Sequence, residues 1–515
     1  MTTATTAQAP AGKELFGHPR GLWYLCFCEG FERFSYYGMQ ALLVLYLTQY
    51  LLLPGHIENV AGFAQFKAAL EGLYGFFDWL FASIGHLFGG PTPLPHSNSL
   101  PTPVAVAAAV TGVYSSGVYV TPLLGGFIAD RLLGRTATVI IGCLLMVLGH
   151  FLMAFDQSFV VAILCLFIGV GCFKGNIASQ VGELYAINDL RRGEAYQLFF
   201  LGIQIAVIAA PIVTGYLAHS WMPLWHWGFG AAGVGMTIAL IVYLSARKNL
   251  PPDHRKVVAE ARARGVQEKL TARDWAAMAV LVGLLPVLAA SALGNQEIFN
   301  AYLLWGNDHY NLTVPTLPSW LPFAADISGK TMPTEFLISL DAIVSMATMI
   351  GVVAFWRWYG KRRKEPDEIV KIAIGSLIAA VGPLVLAWAA ANEVATGQKA
   401  SLLVGLGFHI FNDIGFAMVF PVGLALYSRA APKSVGGLFI GVYYLHLALC
   451  NFATGKLAGM IETMSGSAFW TMHAGIIAGA GIVLLIAAIL FRKVLAPTEL
   501  DPNEAAVEAA AGAPA

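Results

Sequence analysis

Long apolar runs follow one another along almost the whole chain, separated by short polar stretches. Each run has about 20 residues or more, enough for a helix to cross a hydrocarbon core about 30 Å thick. A membrane offers no water to pair with open backbone groups, so these runs favour helices. The pattern predicts an all-α integral membrane protein with twelve transmembrane helices, at approximately 22–53, 103–128, 136–156, 159–185, 194–219, 224–245, 275–306, 334–358, 369–391, 400–428, 434–460 and 467–491.

The spans divide into two sets of six, separated by a polar, charged segment. A short motif repeats at the same place in each half: Arg-x-x-Gly-Arg at 131–135 and Arg-x-x-Gly-Lys at 357–361. Repeats of six helices are typical of transporters built from two bundles. The predicted organisation is an N-terminal tail (1–21), a first six-helix bundle (22–245), a linker (246–274), a second six-helix bundle (275–491) and a C-terminal tail (492–515).

The segment 54–102 is longer than an ordinary connection between two spans. Its first part, "FAQFKAALEGLYGFFDWLFASIGHLF", is amphipathic and rich in aromatic residues, and its second part is rich in proline. We expect an extra amphipathic helix between spans one and two, lying along or against the outer surface.

The basic residues indicate the orientation of the chain. With the N-terminus in the cytoplasm, 24 of the 30 lysines and arginines fall in inner loops and tails, and 3 fall in outer loops. Basic loops stay preferentially on the cytoplasmic side of a membrane. The sequence therefore predicts a multi-pass protein of the cell membrane with both termini in the cytoplasm.

The composition narrows the possible partners. Hydrophobic residues make up 57% of the chain and charged residues 12%, which is roughly half the charged fraction of a soluble protein. Acidic and basic residues balance at 30 each, so we expect no nucleic-acid partner. The six cysteines fall inside predicted spans without metal-ligand spacing, and we expect neither metal nor cofactor. The expected partners are the lipid bilayer and a small-molecule substrate, with the monomer as the working unit.

Three charged residues interrupt span one in the stretch "EGFERFSYYG". Facing lipid, they would cost about 10 kcal/mol in total. Helical spacing places Glu29, Glu32, Arg33, Tyr36 and Tyr37 on one polar stripe. We expect this stripe to face the protein interior or a water-filled cavity, with Arg33 pairing with either glutamate.

Lys174 lies well inside span four, with no acid nearby on its own helix. We expect it to reach a glutamate of span one. The cations and carboxylates would then form a network in which protonation of one carboxylate changes the ion pairs of the others. A static ion cluster that holds helices together is the alternative. In a transporter-like repeat protein, a proton-responsive site is preferred.

The second half contributes acids at membrane depth. Glu297 and Asn300 lie on span seven, Asp341 on span eight, and Asp413 on span ten. Asp341 has no obvious cation on its own helix, whereas His409 lies one turn before Asp413 and could share a proton with it.

The two halves therefore differ in the sign of their intramembrane charge. This polarity suits a small zwitterion, with its carboxylate toward Arg33 and Lys174 and its amine toward Asp341 or Asp413.

Several stretches resemble the proton-dependent oligopeptide transporters, a family of the major facilitator superfamily. They are "EGFERFSYYGMQALLVLYL", which contains the family's Glu-x-x-Glu-Arg signature, and "VYVTPLLGGFIADRLLG", "GVGCFKGN", "LFFLGIQIAVIAAPIVTGYLA" and "FPVGLALYSRAAP". The resemblance covers nearly the whole chain. It implies the major facilitator fold and import of di- and tripeptides with the proton gradient.

The resemblance also implies roles for individual residues. Glu29, Glu32 and Arg33, together with Lys174, would form the proton-coupling group. Arg33 and Lys174 would hold the peptide carboxylate, and the cavity would be lined by Tyr37 and Tyr119.

The chain departs from the family pattern on span five and on the side that holds the peptide amine. The family's Tyr-x-x-x-Asn on span five reads Phe200 and Gln204 here. On span ten the family's Gly-Glu, whose acid holds the amine, reads Gly415-Phe416. Gln204 is a substrate-contact candidate by position.

Other acids stand close to the expected places. Asp413 precedes Phe416 by one turn, and Asp341 stands where the family has an asparagine. The family's Glu-Gln on span seven reads Asn295-Gln296, followed by Glu297. The amine-binding acid has therefore moved rather than vanished, and Asn295, Glu297, Asp341 and Asp413 are its candidate neighbours.

A proton-coupled importer of di- and tripeptides working by alternating access is the leading hypothesis. A transporter of another small anion or amino-acid derivative is the second, because the amine side is altered. A non-transporting membrane receptor is less favoured, since it would tend to lose costly intramembrane charges. An enzyme is not expected, because no nucleophile–base pair or phosphate loop stands out.

Overall fold

The computed structural model describes residues 14–87, 100–185, 189, 191–221, 224–251, 270–314, 316, 328–432 and 436–495. Most of the predicted tails and linker, and the proline-rich part of the insertion, lie outside the described residues. The domain boundaries placed there remain predictions.

The first half of the chain contains a short hairpin and seven helices within the described residues. The hairpin pairs β1 (Glu14–Leu15) with β2 (His18–Pro19) in antiparallel orientation. The helices are α1 (Arg20–Tyr46), α2 (Phe63–Leu87), α3 (Pro103–Ile128), α4 (Arg135–Leu152), α5 (Phe159–Glu183), α6 (Arg191–Tyr216) and α7 (Trp225–Ala246).

The second half contains shorter helical pieces, because two of its spans are interrupted. Its helices are α8 (Ala272–Ser291), α9 (Leu293–Gln296), α10 (Ala301–His309), α11 (Phe336–Gly360), α12 (Glu368–Ala379), α13 (Val381–Thr396), α14 (Leu402–Ala430), α15 (Gly436–Leu457), α16 (Gly466–Leu490) and α17 (Arg492–Leu495). Span seven consists of α8, α9 and α10, and span nine consists of α12 and α13.

Local sequence signals mark several helix ends. The Thr102 hydroxyl accepts a hydrogen bond from the Ala105 N–H at 3.1 Å, with a proline at the first helical position of α3. Thr271 and Asp274 form a capping box at the start of α8. Such caps satisfy backbone N–H groups that a helix start leaves open. α13 ends at Gly397, whose φ of +69° favours glycine.

The predicted twelve-span fold is confirmed. Within the described residues, 11 helical segments are long and apolar enough to cross a membrane. α1 is not among them, although its 27 residues suffice, because Glu29, Glu32 and Arg33 interrupt its apolar sequence. With α1, the protein has the twelve spans of the predicted all-α fold.

The prediction of one continuous helix at 275–306 is wrong. Residues Glu297–Phe299 form a 3₁₀ turn, and Asn300 has φ −135° and ψ −102°, far from helical values. The Glu297 carboxylate accepts a hydrogen bond from the Ala301 N–H at 3.1 Å. The side chain thus replaces a helical carbonyl as partner of the new helix start, which stabilises the break.

The two bundles contact each other through α3 with α15 and α6 with α11. We call the side that carries β1, β2 and Arg247 the linker side, and the side that carries α2 the insertion side. A Cβ on Gly112 of α3 would lie 2.5 Å from the Gly455 Cα of α15. Glycine is therefore needed where these backbones approach each other.

Polar contacts between the bundles lie toward the insertion side. His219 and Glu335 pair at 2.9 Å, the Ser339 hydroxyl donates to the Ile208 carbonyl at 2.8 Å, and Thr102 bonds Glu462. Ion pairs on the linker side, such as Arg429 with Glu368 and Arg191 with Glu14, join residues of the same half. Among pairs whose two members are both described, none joins the bundles on the linker side by a hydrogen bond or ion pair.

The predicted insertion helix is present as α2, and it reaches the second bundle. Before α2, the Ala61 N–H donates to the Gln157 carbonyl of the first half. Within α2, Tyr74 stacks on Phe452 of α15 at 4.4 Å and donates to its carbonyl at 3.2 Å. Asp78 forms an ion pair with Lys456, also on α15. α2 therefore extends from the first half of the chain across to the second.

Candidate functional site

Three of the four charged residues of α1 form one buried group. Arg33 Nε lies 3.0 Å from Glu29 Oε1 and 2.5 Å from Glu32 Oε2. All three residues are at most 3% exposed. The helical spacing that predicted this stripe thus brings one cation between two carboxylates. Because the two acids outnumber the arginine, the group has an excess negative charge when both are ionised.

Each member of this group keeps an unused hydrogen-bonding atom. Arg33 Nη2, Glu29 Oε2 and Glu32 Oε1 are buried and have no partner among the described residues. Buried polar atoms are usually satisfied, so unpaired ones indicate a functional constraint or an absent ligand. Nη2 is the donor that Arg33 can offer to an incoming anion without leaving either glutamate.

Lys174 does not reach a glutamate of α1, which differs from the expectation. Its Nζ lies 4.5 Å from the centroid of the Tyr119 ring, and it forms no ion pair with the described residues. A ring face attracts an ammonium group electrostatically but leaves its N–H donors free. Lys174 is half-buried and free to pair with another anion.

Tyr37 and Tyr119 lie where the bundles meet. The Tyr37 ring is 6.1 Å from that of Phe299 in the broken seventh span. Tyr119 packs with Phe416 against an apolar cluster of the second bundle that includes Leu447. Both tyrosines therefore lie at the contact between the bundles, and their role as cavity-lining contacts stays a prediction.

Two of the predicted acids of the second bundle come together around a histidine. His409 Nδ1 lies 2.8 Å from Asp341 Oδ1, and His409 Nε2 lies 2.9 Å from the Tyr302 hydroxyl. One polar atom each of Asp341, His409 and Asp413 lies within 4.8 Å of the other two. All three side chains are buried. We call Asp341, His409 and Asp413 the acid cluster.

The pairing within the acid cluster was not the one that we expected. His409 contacts Asp341 of α11 and not Asp413 of its own helix. Asp413 Oδ1 accepts a hydrogen bond from Asn412 at 3.1 Å, and its Oδ2 has no partner among the described residues. Asp413 therefore keeps one carboxyl oxygen available.

Glu297 lies apart from the acid cluster, contrary to its expected role near the amine. It is fully buried, with Oε1 at 3.1 Å from His473 Nε2 and Oε2 accepting from the Ala301 N–H. His473 Nδ1 lies 2.9 Å from the Phe469 carbonyl. Both carboxyl oxygens of Glu297 are thus engaged within the second bundle.

The remaining substrate-contact candidates are less engaged. Asn295 is half-buried and its Oδ1 accepts from Gln296 at 2.8 Å. Gln204 is half-buried on α6 and forms no side-chain hydrogen bond with the described residues. Phe416, at the family's acid position, stacks on Phe420 at 5.4 Å. An apolar ring pair therefore stands where the family places a carboxylate.

Sequence reasoning missed three side-chain contacts. Tyr302 orients His409, His473 binds Glu297, and Glu335 pairs with His219 between the bundles. For Glu335 a signal existed, because an acid at the start of one span and a histidine at the end of another lie on the same side. For Tyr302 and His473 the partner depends on helix rotation, which the sequence does not specify.

A comparison with known families identifies the architecture. Residues 25–455, well over half of the chain, match the sequence model of the Major Facilitator Superfamily. The chain belongs to the major facilitator superfamily. This agrees with the twelve spans and with the expectation of a transporter rather than an enzyme.

Two bacterial transporters, one of them named as a peptide transporter, are similar over nearly the full chain. The "Peptide transporter YePEPT" of Yersinia enterocolitica is 26% identical, over 94% of this chain and 96% of the relative. The "Uncharacterized transporter YclF" of Bacillus subtilis is 25% identical, over 93% and 96%. The resemblance to the oligopeptide transporters is thereby confirmed.

Solved structures of the superfamily show the same fold. The crystal structure of the peptide transporter POT in complex with sulfate has a TM-score of 0.72 at 22% identity. The match covers 94% of this chain and 97% of the POT chain. A POT family transporter in complex with 5-aminolevulinic acid has a TM-score of 0.68 at 19% identity, covering 94% and 98%.

Proposed function

We propose that the protein is a proton-coupled symporter of di- and tripeptides that works by alternating access. The observation that carries the proposal is the presence of two buried groups of opposite donor and acceptor character, one in each bundle. Arg33 Nη2 and Lys174 Nζ offer free N–H donors in the first bundle. Asp413 Oδ2 offers a free acceptor in the second.

A peptide carries a carboxylate at one end and an ammonium group at the other, and it matches this arrangement. In the proposal, the carboxylate binds Arg33 and Lys174, and the ammonium group binds Asp413 beside Asp341. Tyr37, whose ring lies 6.1 Å from that of Phe299 in span seven, would contact the middle of the peptide. Tyr119, Gln204 and Asn295 line the remaining space, whereas Glu297 has a structural role.

Proton coupling follows from the excess of acids over cations beside Arg33. With both glutamates ionised, the guanidinium is attracted to two carboxylates. A proton on Glu29 or Glu32 neutralises one of them and frees donor capacity of Arg33 for the peptide carboxylate. Peptide and proton then bind together, and neither is carried efficiently alone.

The membrane setting is part of the proposal. The distribution of basic residues supports both termini in the cytoplasm of a cell-membrane protein. The arrangement of both groups within one chain supports a monomer as the transporting unit.

Uptake into proteoliposomes tests the proposal. Purified protein is reconstituted, and radiolabelled dialanine uptake is measured with and without an inward proton gradient. We expect accumulation above equilibrium that a protonophore abolishes. Uptake that ignores the gradient would refute coupling, and no uptake by folded protein would refute the peptide substrate.

A transporter of a small amino-acid derivative is the second candidate. The stacked Phe416–Phe420 pair favours this second candidate. The pair stands where the resemblance places an acid, and it leaves fewer polar side chains to bind a peptide amine. The fold neighbour bound to 5-aminolevulinic acid suggests the probe. Uptake of labelled dialanine is measured in the presence of unlabelled 5-aminolevulinic acid or unlabelled dialanine. Stronger inhibition by 5-aminolevulinic acid favours the second candidate, and stronger inhibition by dialanine favours the first.

A further inference from the structure

The acid cluster of the second bundle holds more negative charge than its surroundings compensate. Asp341 and Asp413 are both buried, and neither forms an ion pair with a lysine or arginine among the described residues. The cation-bearing group at Arg33 belongs to the first bundle and is paired there with Glu29 and Glu32. The cluster must therefore be balanced by protons or by a bound cation.

Counting protons shows that the histidine alone is not sufficient. With His409 neutral, its single N–H serves either Asp341 or the Tyr302 hydroxyl, and two ionised aspartates leave the cluster doubly negative. With His409 protonated, both ring nitrogens donate, and one negative charge still remains. The other titratable groups with electrostatic interactions here are Tyr302 and, from α1, Tyr37, and both are neutral phenols.

The unpaired oxygen indicates where a further proton resides. Asp341 Oδ1 is engaged by His409, whereas Asp413 receives one hydrogen bond from Asn412 and keeps Oδ2 buried without a partner. A buried, weakly solvated carboxyl group favours its neutral form.

We propose that the acid cluster is a second proton-binding site, which holds a proton on Asp413 when empty and releases it when a substrate ammonium group binds. The inference rests on the proposed function, because it needs a substrate with an ammonium group. The O–H bond of Asp413 breaks, the proton is released to bulk water, and the carboxylate pairs with the ammonium group. One positive charge enters and one leaves, so the charge of the cluster is unchanged.

The proposal distinguishes two protons, and a measurement of net proton transport reports only their sum. The proton at Glu29 and Glu32 accompanies the peptide, whereas the proton at Asp413 is displaced by it. A ligand with the same carboxylate but without an ammonium group should leave the second proton in place. The number of protons per substrate then depends on the chemistry of the amino end.

Isothermal titration calorimetry of the full-length protein tests the inference. Dialanine binding is measured near neutral pH in buffers that differ in ionisation enthalpy, which gives the number of protons released per peptide. We expect the wild type to release about one proton more than Asp413→Asn. Asp413→Glu keeps the carboxyl group and should keep the release. Glu58→Gln, an exposed acid in the loop after α1, is the control and should behave like the wild type.

N-acetyl-dialanine provides the second arm, because it lacks the ammonium group. For this ligand, the wild type and Asp413→Asn should release equal numbers of protons. Equal numbers for unmodified dialanine, with binding retained, would overturn the second proton site and leave the transporter proposal intact. Folded wild-type protein that binds no peptide would overturn both.

Discussion

Arg33 is buried between two carboxylates and still keeps one nitrogen without a partner. A guanidinium group has a fixed planar fork of donors, so it can hold a glutamate with one N–H and an incoming carboxylate with another. A lysine at this position has a single ammonium group and cannot reproduce that geometry. The free Nη2 explains why an arginine suits a site that must hold two kinds of anion.

Loss of this fork should weaken peptide binding. We expect Arg33→Lys and Lys174→Gln each to bind dialanine about 10- to 100-fold more weakly, the value of a lost charge-assisted hydrogen bond. Calorimetric titration of purified protein measures the change. Lys330→Gln, a substitution in the loop before α11, is the control and should bind normally. Unchanged affinity in both site variants would rule out the carboxylate contact.

The glutamates beside Arg33 should be needed for proton-driven accumulation of peptide but not for the exchange of peptide across the membrane. We expect Glu29→Gln and Glu32→Gln to abolish proton-driven accumulation, because the neutral side chain imitates a permanent proton. Counterflow of labelled dialanine into preloaded vesicles should partly persist, since it needs no net proton movement. Glu58→Gln, in the loop after α1, serves as the control, and full accumulation in both site variants would contradict the coupling role.

At the residue scale, the sequence predicts contacts within a helix better than contacts between helices. The pairing of Arg33 with Glu29, four residues before it, follows from helical spacing, whereas its contact with the adjacent Glu32 does not. Lys174 over Tyr119, and His409 on Asp341, depend on the rotation and separation of neighbouring helices. Those quantities arise from the packing of whole spans, so the predicted partners of Lys174 and His409 were different.

At the scale of elements, the seventh span shows how a helix can be broken at membrane depth. Glu297 bonds the N–H of Ala301 and is itself held by His473 of α16. Asn300 donates to the Ala108 carbonyl of α3 at 3.2 Å, which ties the break to the first bundle. The apolar run 275–306 predicts a span here, but its hydropathy contains no sign of the interruption.

Removing the support of this break should destabilise the protein. Glu297→Ala leaves the buried His473 without its hydrogen-bond partner, a change worth about 1–3 kcal/mol. We expect a lower unfolding temperature for Glu297→Ala and for His473→Ala in purified protein. The double variant should be less destabilised than the sum of the single ones, and simple additivity would show that the two residues do not interact.

At the scale of the whole molecule, the two bundles are joined by polar contacts on the insertion side and not, among described pairs, on the linker side. The twelve spans and the repeat were readable from the sequence. The contact of α2 with α15 could not be predicted from the sequence. Amphipathicity indicates that a helix lies at a surface, but it does not identify the helix that it packs against. The proposed alternating access would require the insertion-side contacts to break in each cycle.

Tethering α2 to α15 should therefore stop transport. We expect Asp78→Cys combined with Lys456→Cys, joined by a short bifunctional maleimide, to lose dialanine uptake while still binding the peptide. Each single cysteine variant, treated with the same reagent, should transport normally. Full uptake by the cross-linked double variant would mean that α2 moves together with the second bundle.

The position of α2 has a practical consequence. α2 belongs to the first half of the chain, yet its residues Tyr74 and Asp78 contact α15 of the second half. An antibody fragment raised against the combined α2–α15 surface would recognise one state of the transport cycle and not the other. Such a reagent could arrest the cycle without entering the substrate path and could report, in living cells, which state the protein occupies at rest.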